Sequence, residues 1–275
     1  MKDDPHLFTD SEEGRRLLGH EDFARSFAHF IQETPKDSLV GFWGDWGSGK
    51  SRIIKMAAEE LAKSGVVVCV FNPWIEDVGS QWITLMTAAV KDAANQRLGE
   101  LTLDEKKIEQ ACKAATKSHR RLEDINRARK LFDQITKKFS GAEPAKLLDF
   151  MKVEEVNQSE VARLLWSTTI KEVLKQCPNG DDGSPCEIVV FIDDVDRLTA
   201  TALKRLLDEC FGRLRRSVDD HGEPDPEVRF VVAADRELVL LSLKEILPGG
   251  TLDSAKRYLE KVLSIDVRVP EPTRE

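Results

Sequence analysis

Residues 39–63 read LVGFWGDWGSGKSRIIKMAAEELAK, and this stretch decides the fold. An apolar, strand-like run (Leu39–Trp43) is followed by the pattern GxxxxGK[ST] at 44–51 and then by a segment of helical period. Glycines let the backbone curl so that successive N–H groups point at a phosphate, and the following helix adds the positive end of its dipole. The stretch therefore predicts a strand, a phosphate-binding loop and a helix, in that order.

Two residues at the end of this loop carry its chemistry. Lys50 would neutralise the β- and γ-phosphates of a nucleotide, and the Ser51 hydroxyl would ligate Mg²⁺. The predicted nucleotide-binding set is Gly44, Asp45, Trp46, Gly47, Ser48, Gly49, Lys50, Ser51 and Arg52. Trp46 lies within the loop, where it either covers the nucleotide or contacts a partner, whereas Trp43 ends the strand and is interpreted as a core residue.

A second apolar run ends in two acids. Ile188–Ile192 is followed by Asp193 and Asp194, the pattern of a buried strand that delivers carboxylates at its carboxyl end. Asp193 would hold Mg²⁺ opposite Ser51, directly or through water. Asp194 would orient the water that attacks the γ-phosphate, a position in which many ATPases use Glu. Two solvated acids capping the strand are the alternative, but the phosphate loop favours the functional interpretation because Mg²⁺ needs a carboxylate of this kind.

Two further charged positions each allow two interpretations. Arg197 either fixes the geometry of Asp194 or Asp196 by pairing with it, or forms an ordinary surface ion pair. Asp235 follows the apolar run 229–234 and is either a sensor of nucleotide state beside the γ-phosphate or a helix N-cap. The candidate catalytic set is Lys50, Asp194 and Asp235.

Short apolar runs alternate along the chain with longer segments of helical period, which is typical of a parallel sheet with crossover helices. The predicted strands are Leu39–Trp43, Val66–Phe71, Ile188–Ile192, Arg229–Ala233 and Ser264–Val267. The predicted helices are 21–33, 50–63, 80–97, 158–176, 199–216, 236–246 and 254–263. Each strand is apolar on both faces, as expected where helices cover a sheet on two sides. We therefore expect an α/β fold with a mostly parallel five-stranded sheet, in one domain over 1–275.

Composition and charge exclude several classes of protein. The 275 residues carry 41 Lys and Arg against 49 Asp and Glu, and this net charge of −8 argues against indiscriminate binding of polyanions by the whole chain. The apolar runs are far shorter than the roughly 18–20 residues of a membrane helix, so no membrane span is predicted. The acidic N-terminus does not resemble a secretory signal, which predicts a cytoplasmic protein. Five cysteines without a CxxC pair predict free thiols, Cys177 and Cys186 included.

Residues 101–140 differ in character from the rest of the chain. They hold 11 Lys and Arg against 6 Asp and Glu, and their sparse apolar residues are mostly spaced by three, four or seven. This pattern predicts a basic helical insertion. Its basic face is either simply solvated, which we favour, or a surface for nucleic acid or a partner.

Five segments together resemble the KAP family of P-loop NTPases. They are GDWGSGKS (44–51), VFNPW (70–74), FIDDVDR (191–197), VVAADRE (231–237) and RYLEKVLSIDVRVPEP (257–272). Their order and spacing also agree with the family. The resemblance implies an ATPase that uses ATP and Mg²⁺, of the branch with an extra strand between the strand of the phosphate loop and the Asp-Asp strand. By that analogy Lys50, Ser51, Asp193, Asp194 and Asp235 have the roles given above.

The chain departs from the family in two respects. Ser51 stands where members usually have Thr, which retains the hydroxyl needed by a metal. Many members carry membrane helices between the two nucleotide motifs, where this chain has the hydrophilic segment 101–140. No NKxD or LSGGQ motif occurs, which disfavours a GTPase and an ABC transporter ATPase.

Three functions remain open from the sequence, besides a less favoured fourth, a small-molecule kinase. The favoured one is an Mg²⁺-dependent ATPase in which nucleotide state drives a conformational switch. In that case a homo-oligomer or a partner protein could supply an arginine finger, for which Arg213 and Arg257 are candidates. The second is a nucleotide-binding scaffold that does not hydrolyse. The third is a nucleic-acid-associated motor or defence component that uses 101–140 as its contact, since bacterial KAP relatives are associated with phage exclusion and mobile elements.

Overall fold

The computed structural model describes residues 19–36, 38–73, 82–98, 158–177, 186–208, 210 and 228–270. The predicted basic insertion at 101–140 lies outside the described residues. So do Trp74 and Arg213.

A five-stranded sheet forms the centre of the molecule. Its strands are β1 (Leu39–Trp43), β2 (Val67–Phe71), β3 (Ile188–Ile192), β4 (Arg229–Ala234) and β5 (Ile265–Arg268). The spatial order is β2-β3-β4-β1-β5, and every neighbouring pair is parallel. The predicted α/β fold is confirmed. The extra strand that the resemblance implied is also confirmed, because β4 lies between β1 and β3.

Helices connect the strands. They are α1 (His20–Glu33), α2 (Lys50–Lys63), α3 (Trp82–Leu98), α4 (Gln158–Gln176), α5 (Ala200–Asp208), α6 (Arg236–Ile246) and α7 (Leu252–Val262). A short 3₁₀ turn, Val195–Arg197, follows β3. Each predicted helix is found, and each begins within two residues of the predicted position. The segment predicted as helix over 199–216 is described as α5 only to Asp208.

Apolar side chains cover both faces of the sheet. In β3, Val189 and Phe191 join a cluster with residues of α1 and α2, whereas Val190 and Ile192 join a cluster with residues of α3 to α7. The central strands β1, β3 and β4 are buried at every position. Alternate side chains of one strand thus serve two separate cores, which explains why these strands read as continuous apolar runs.

The edge strands are more open than predicted. Val70 of β2 is 51% exposed, and Asp266 and Arg268 of β5 are exposed. The expectation that all five strands are covered on both faces is therefore wrong for β2 and β5. Among the described residues, each of these two strands has a strand neighbour on one side only, and side chains near the open edge stay accessible.

Cys177 and Cys186 form a disulfide, with their Cα atoms 5.8 Å apart. The prediction of free thiols is wrong for this pair, because the end of α4 and the start of β3 lie side by side. Cys69 and Cys210 are buried.

A buried cation lies at the amino end of the sheet. Arg229, the first residue of β4, is 3% exposed. Its Nη1 donates to Glu187 Oε2 at 2.8 Å, its Nε to the Thr34 carbonyl at 2.9 Å, and its Nη2 to the Gln32 carbonyl at 2.9 Å. Because both carbonyls belong to the end of α1, Arg229 ties this helix to the starts of β3 and β4.

None of the helices in the described ranges is both long enough and apolar enough to cross a bilayer.

Candidate nucleotide-binding site

The phosphate-binding loop connects β1 to α2 at the carboxyl edge of the sheet. Gly47 and Gly49 have φ angles of 82° and 85°, which favour glycine, and Gly49 is the N-cap of α2. A β-carbon on Gly44 would lie 2.5 Å from Ser48 Oγ, so the loop also needs glycine there for space. The Gly44 N–H donates to the Ala234 carbonyl at 3.2 Å, which joins the start of the loop to the end of β4.

Lys50 is the first residue of α2 and is buried beneath the loop. Its Nζ donates to the Gly44 carbonyl at 2.6 Å and to the Asp45 carbonyl at 2.9 Å. An ammonium group has three N–H donors. Lys50 therefore curls the loop around itself with two of them, and the third is available for an anion.

Asp193 follows β3 and contacts the loop from the opposite side. Its side chain accepts hydrogen bonds from the Ser51 hydroxyl and from the Asp194 backbone N–H, the latter at 2.9 Å. Burial raises the pKa of Asp193 above its ordinary value, and the charge of Asp194 adds to this. The bond from Ser51 and the charge of Lys50 act in the opposite direction. Residues far apart in the sequence, at 50–51 and 193, thus meet at one point.

Asp194 has a strained backbone and a tethered side chain. With φ 59° and ψ 32°, it is the single non-glycine residue with positive φ in the described ranges. A left-handed conformation costs about 1–2 kcal/mol. Its Oδ2 accepts a hydrogen bond from Asn72 Nδ2 at 3.0 Å, and its Oδ1 lies 3.4 Å from Arg197 Nε. Of the two partners predicted for Arg197, Asp194 and Asp196, the structure thus pairs Arg197 with Asp194.

Asn72 is the residue that the sequence reasoning missed. It appeared only as a letter of VFNPW and received no role. It directly follows β2, and the register pairs Phe71 with Ile192, so Asn72 comes to the same edge as the two acids. The sequence offered only part of this signal, namely a polar residue directly after a predicted strand. Residues that follow neighbouring parallel strands converge at one edge of a sheet, but the sequence did not show that β2 and β3 are neighbours.

The remaining predicted residues lie around this centre. Asp235 Oδ1 accepts from the backbone N–H groups of Glu237 and Leu238 at 2.9 and 3.3 Å, so Asp235 is the N-cap of α6. Trp43 is buried, as predicted, and its Nε1 donates to Asp266 Oδ1 at 2.8 Å. In contrast, Trp46 is 86% exposed.

The loop and the acids fit a triphosphate with Mg²⁺. Ser48 Oγ is buried within the loop and has no hydrogen-bond partner among the described residues, and Lys50 has a donor to spare. The Ser51 hydroxyl and the Asp193 carboxylate are hard oxygen ligands of the type that Mg²⁺ prefers. Exchanging the Ser51–Asp193 hydrogen bond for bonds to a cation would leave both groups satisfied.

A parallel sheet with its first strand entering a phosphate-binding loop, and with a strand nearby that ends in two acids, is the fold of a P-loop NTPase. The chain belongs to the KAP family: the sequence profile of the KAP family P-loop domain matches residues 20–275. Nucleotide binding is the general property of such domains.

One solved structure similar to the chain is that of the Aeropyrum pernix ORC2 protein, described as ADPNP-ADP complexes. The identity is 13% and the TM-score 0.41, over 98% of this chain and 52% of that one. The chain thus spans about half of the ORC2 chain. Among curated proteins, none matches the sequence.

Proposed function

We propose that this domain binds and hydrolyses ATP with Mg²⁺ and passes the resulting conformational change to another domain or subunit. The observation that supports the proposal is the meeting of the Ser51 hydroxyl with the buried carboxylate of Asp193, beside Lys50. Helix α2 and the loop would surround the phosphates with backbone N–H groups. No arrangement of this kind is needed for folding alone, because burial disfavours the charged form of Asp193.

Each residue would contribute one element of phosphoryl transfer. Lys50 would donate its remaining N–H to the β- and γ-phosphates. Ser51 and Asp193 would hold Mg²⁺, which supplies neutralisation of the developing charge when bound. Asp194 would accept a hydrogen bond from the attacking water and orient it for in-line attack on the γ-phosphate.

Asn72 and Arg197 would set the position of Asp194. Each contacts a different oxygen of its carboxylate. A carboxylate held on both sides has little rotational freedom, so the water that it orients would have a defined direction. Since Asp is one methylene shorter than Glu, this positioning also determines whether Asp194 reaches the water at all.

Asp235 would report the state of the γ-phosphate. Its capping bonds to α6 fix the carboxylate at the end of β4, the strand next to β1. A change at the γ-phosphate would then act on the first turn of α6. The cap and the sensor role are compatible, because one carboxylate can accept several hydrogen bonds.

Other predictions remain proposals that extend this one. ATP as the nucleotide and a setting in bacterial phage defence rest on the resemblance to the KAP family. The single domain over 1–275, the cytoplasmic location and the nucleic-acid contact through 101–140 rest on the sequence. An oligomer or partner would add an arginine finger, and Arg257 is exposed on α7.

A second candidate function is a nucleotide-binding scaffold without turnover. The ion pair of Asp194 with Arg197 and its hydrogen bond with Asn72 favour it, because a carboxylate engaged on both oxygens is less available to water. Both functions require the same phosphate loop. They differ only in the step at Asp194.

The experiment measures phosphate release and ATP binding by wild type, Lys50→Ala and Asp194→Asn. Hydrolysis by wild type that is lost in both variants, with binding retained in Asp194→Asn, would support the ATPase. Tight binding without turnover would support the scaffold, and equal rates in all three proteins would reject hydrolysis at this site. Lys55→Ala is the matched control, since Lys55 is exposed on the same helix as Lys50.

A further inference from the structure

The outer faces of α6 and α7 expose large apolar side chains. Within the described ranges five such side chains are exposed, and three of them lie on these two helices, namely Leu238, Leu241 and Leu252, at 45%, 49% and 42%. A single exposed leucine is common on a protein surface. Three on two helices that pack against each other are less common, and they indicate a surface that another molecule covers.

On α6 the exposed residues share one side of the helix and are acidic at both ends. They are Glu237, Leu238, Leu241 and Glu245. At about 3.6 residues per turn, these four positions fall within roughly a third of the circumference. The two cations of the helix, Arg236 and Lys244, are only half-exposed. The exposed side of α6 is therefore a pair of leucines between two carboxylates.

The exposed side of α7 has the opposite charge. Its exposed charged residues are the cations Lys256, Arg257 and Lys261 and the acids Asp253 and Glu260. Leu252 begins the helix, and Lys256 lies one turn further along the same side. The outer surface of the two helices thus has an acidic half on α6 and a basic half on α7, with leucines on both.

A surface with an acidic half and a basic half is complementary to itself. In a two-fold dimer the same surface is present on both copies, so α6 of one copy would lie against α7 of the other. Glu237 and Glu245 would then face Lys256 and Lys261, and the leucines would be enclosed between the helices. A partner of uniform charge would meet repulsion on one of the two helices. The charge pattern therefore favours a second copy of this chain as the molecule that covers the leucines.

We propose that the outer face of α6 and α7 binds a second copy of this chain in a two-fold dimer. Each helix has 11 residues, so the buried area is small and the dimer is weak and concentration-dependent. The inference rests on the proposed function in one respect, since it names the subunit that receives the conformational change. Because α6 begins at Asp235, nucleotide state would reach the second copy through this helix.

The test measures self-association by sedimentation velocity over a range of protein concentrations, without nucleotide. One variant carries Glu237→Lys and Glu245→Lys, and the other carries Lys256→Glu and Lys261→Glu. Each makes both halves of the surface alike in charge, so its self-association should weaken at least about tenfold. An equimolar mixture of the two variants should associate about as tightly as wild type, because acidic halves again meet basic halves. Lys55→Glu is the matched control, since Lys55 is exposed on α2, which covers the opposite face of the sheet.

Three results would overturn the inference. Wild type that stays monomeric at every concentration would mean that a different molecule covers the leucines. Association that neither variant weakens would place the dimer contact elsewhere, and a mixture that stays monomeric would exclude the contact of α6 with α7.

Failure of the proposed function would be a separate result, because the association is measured without nucleotide. A wild-type dimer that does not bind ATP would reject the proposed function and retain the interface. Circular dichroism identifies the folded variants. If a double variant does not fold, Leu241→Ser takes its place, since it changes one exposed side chain. It should also weaken the dimer, and unchanged association of Leu241→Ser would contradict the interface.

Discussion

The two ends of the sheet bury charge in different ways. At the amino end, Arg229 uses Nε, Nη1 and Nη2 in hydrogen bonds to Thr34, Glu187 and Gln32. Each of its three nitrogens thus has an oxygen of the protein as a partner without any ligand. Such a group stabilises the arrangement of β3, β4 and α1, and nothing in its surroundings requires a further molecule.

At the carboxyl end the pairing is incomplete. Lys50 has a donor beyond its two loop carbonyls, and Ser48 Oγ has no partner in the described part of the chain. The pKa of Asp193 is raised by burial, and Asp194 has a left-handed backbone. Charge that is buried and only partly satisfied indicates a site that a ligand completes. Buried charge that is paired with protein oxygens at every nitrogen, as in Arg229, indicates a structural role.

The largest effect that tests this contrast is a loss of stability at the amino end. Arg229→Ala would leave two carbonyls at the end of α1 without their partner and would remove the closer of the two cations that contact Glu187, the other being Lys36 at 3.5 Å. Breaking a buried pair of this type costs about 3–5 kcal/mol. Urea denaturation followed by circular dichroism measures the free energy of unfolding. A loss below about 1 kcal/mol would mean that the network is dispensable.

Lys50→Ala is predicted to have the opposite effect, namely a large loss of hydrolysis with a small change in stability. Removing a cation that stabilises developing charge lowers the rate of hydrolysis by about 10²–10³-fold. The free energy of unfolding should change by less than about 1 kcal/mol, because Gly44 and Asp45 are not buried and their carbonyls could bond to water instead of Lys50. Steady-state phosphate release and urea denaturation are measured on the same preparation. If the variant were both unfolded and inactive, Lys50 would have a structural role like that of Arg229, and the contrast between the two ends of the sheet would be wrong.

Asn72→Ala tests whether Asp194 is held for catalysis. Loss of one hydrogen bond to the carboxylate is predicted to lower the turnover of ATP about tenfold while ATP binding changes less than about twofold. Asn72→Asp retains the size but replaces the donor by a second carboxylate, so it should be at least as inactive. An effect on binding alone would place Asn72 outside the positioning of water.

The smallest effect concerns the cost of keeping Asp193 charged. Its folded pKa is raised, so its contribution to stability is present below the unfolded pKa of about 3.9 and is lost as pH rises through the folded pKa. Asp193→Asn should therefore stabilise the nucleotide-free protein at pH 7 and abolish hydrolysis.

Chemical denaturation of both proteins between pH 4 and pH 7, without Mg²⁺ or nucleotide, measures this difference. The advantage of the variant should grow as pH rises. If the stability advantage of Asp193→Asn over wild type shrank as pH rose, folding would lower the pKa of Asp193 and not raise it, which would contradict the argument.

Local patterns in the sequence predicted much of the fold and the centre of the site. The strand, loop and helix over 39–63 are contiguous, and the acids follow β3 directly, so each could be read without knowledge of packing. Of the sheet order, the resemblance implied only that a strand lies between β1 and β3. What the sequence did not predict depends on contacts between distant segments, such as Asn72 with Asp194, His20 with Gly49, and Cys177 with Cys186.

The open edges of β2 and β5 were missed for a related reason. Val70 and Asp266 belong to short runs that resemble buried strands, and only the order of the strands decides which runs lie at an edge. The pairing of β2 with β3 likewise brings Asn72 to Asp194, and this pairing is seen only in the folded structure.

The most direct test of the central claim is a double-mutant cycle on the metal. Affinity for ATP is measured with and without Mg²⁺ in wild type, Ser51→Ala, Asp193→Asn and the double variant. If Ser51 and Asp193 hold one ion on one triphosphate, each single substitution removes most of the tightening by Mg²⁺, and the double variant loses little more. Losses that simply add, or tightening that survives in Asp193→Asn, would contradict a shared site.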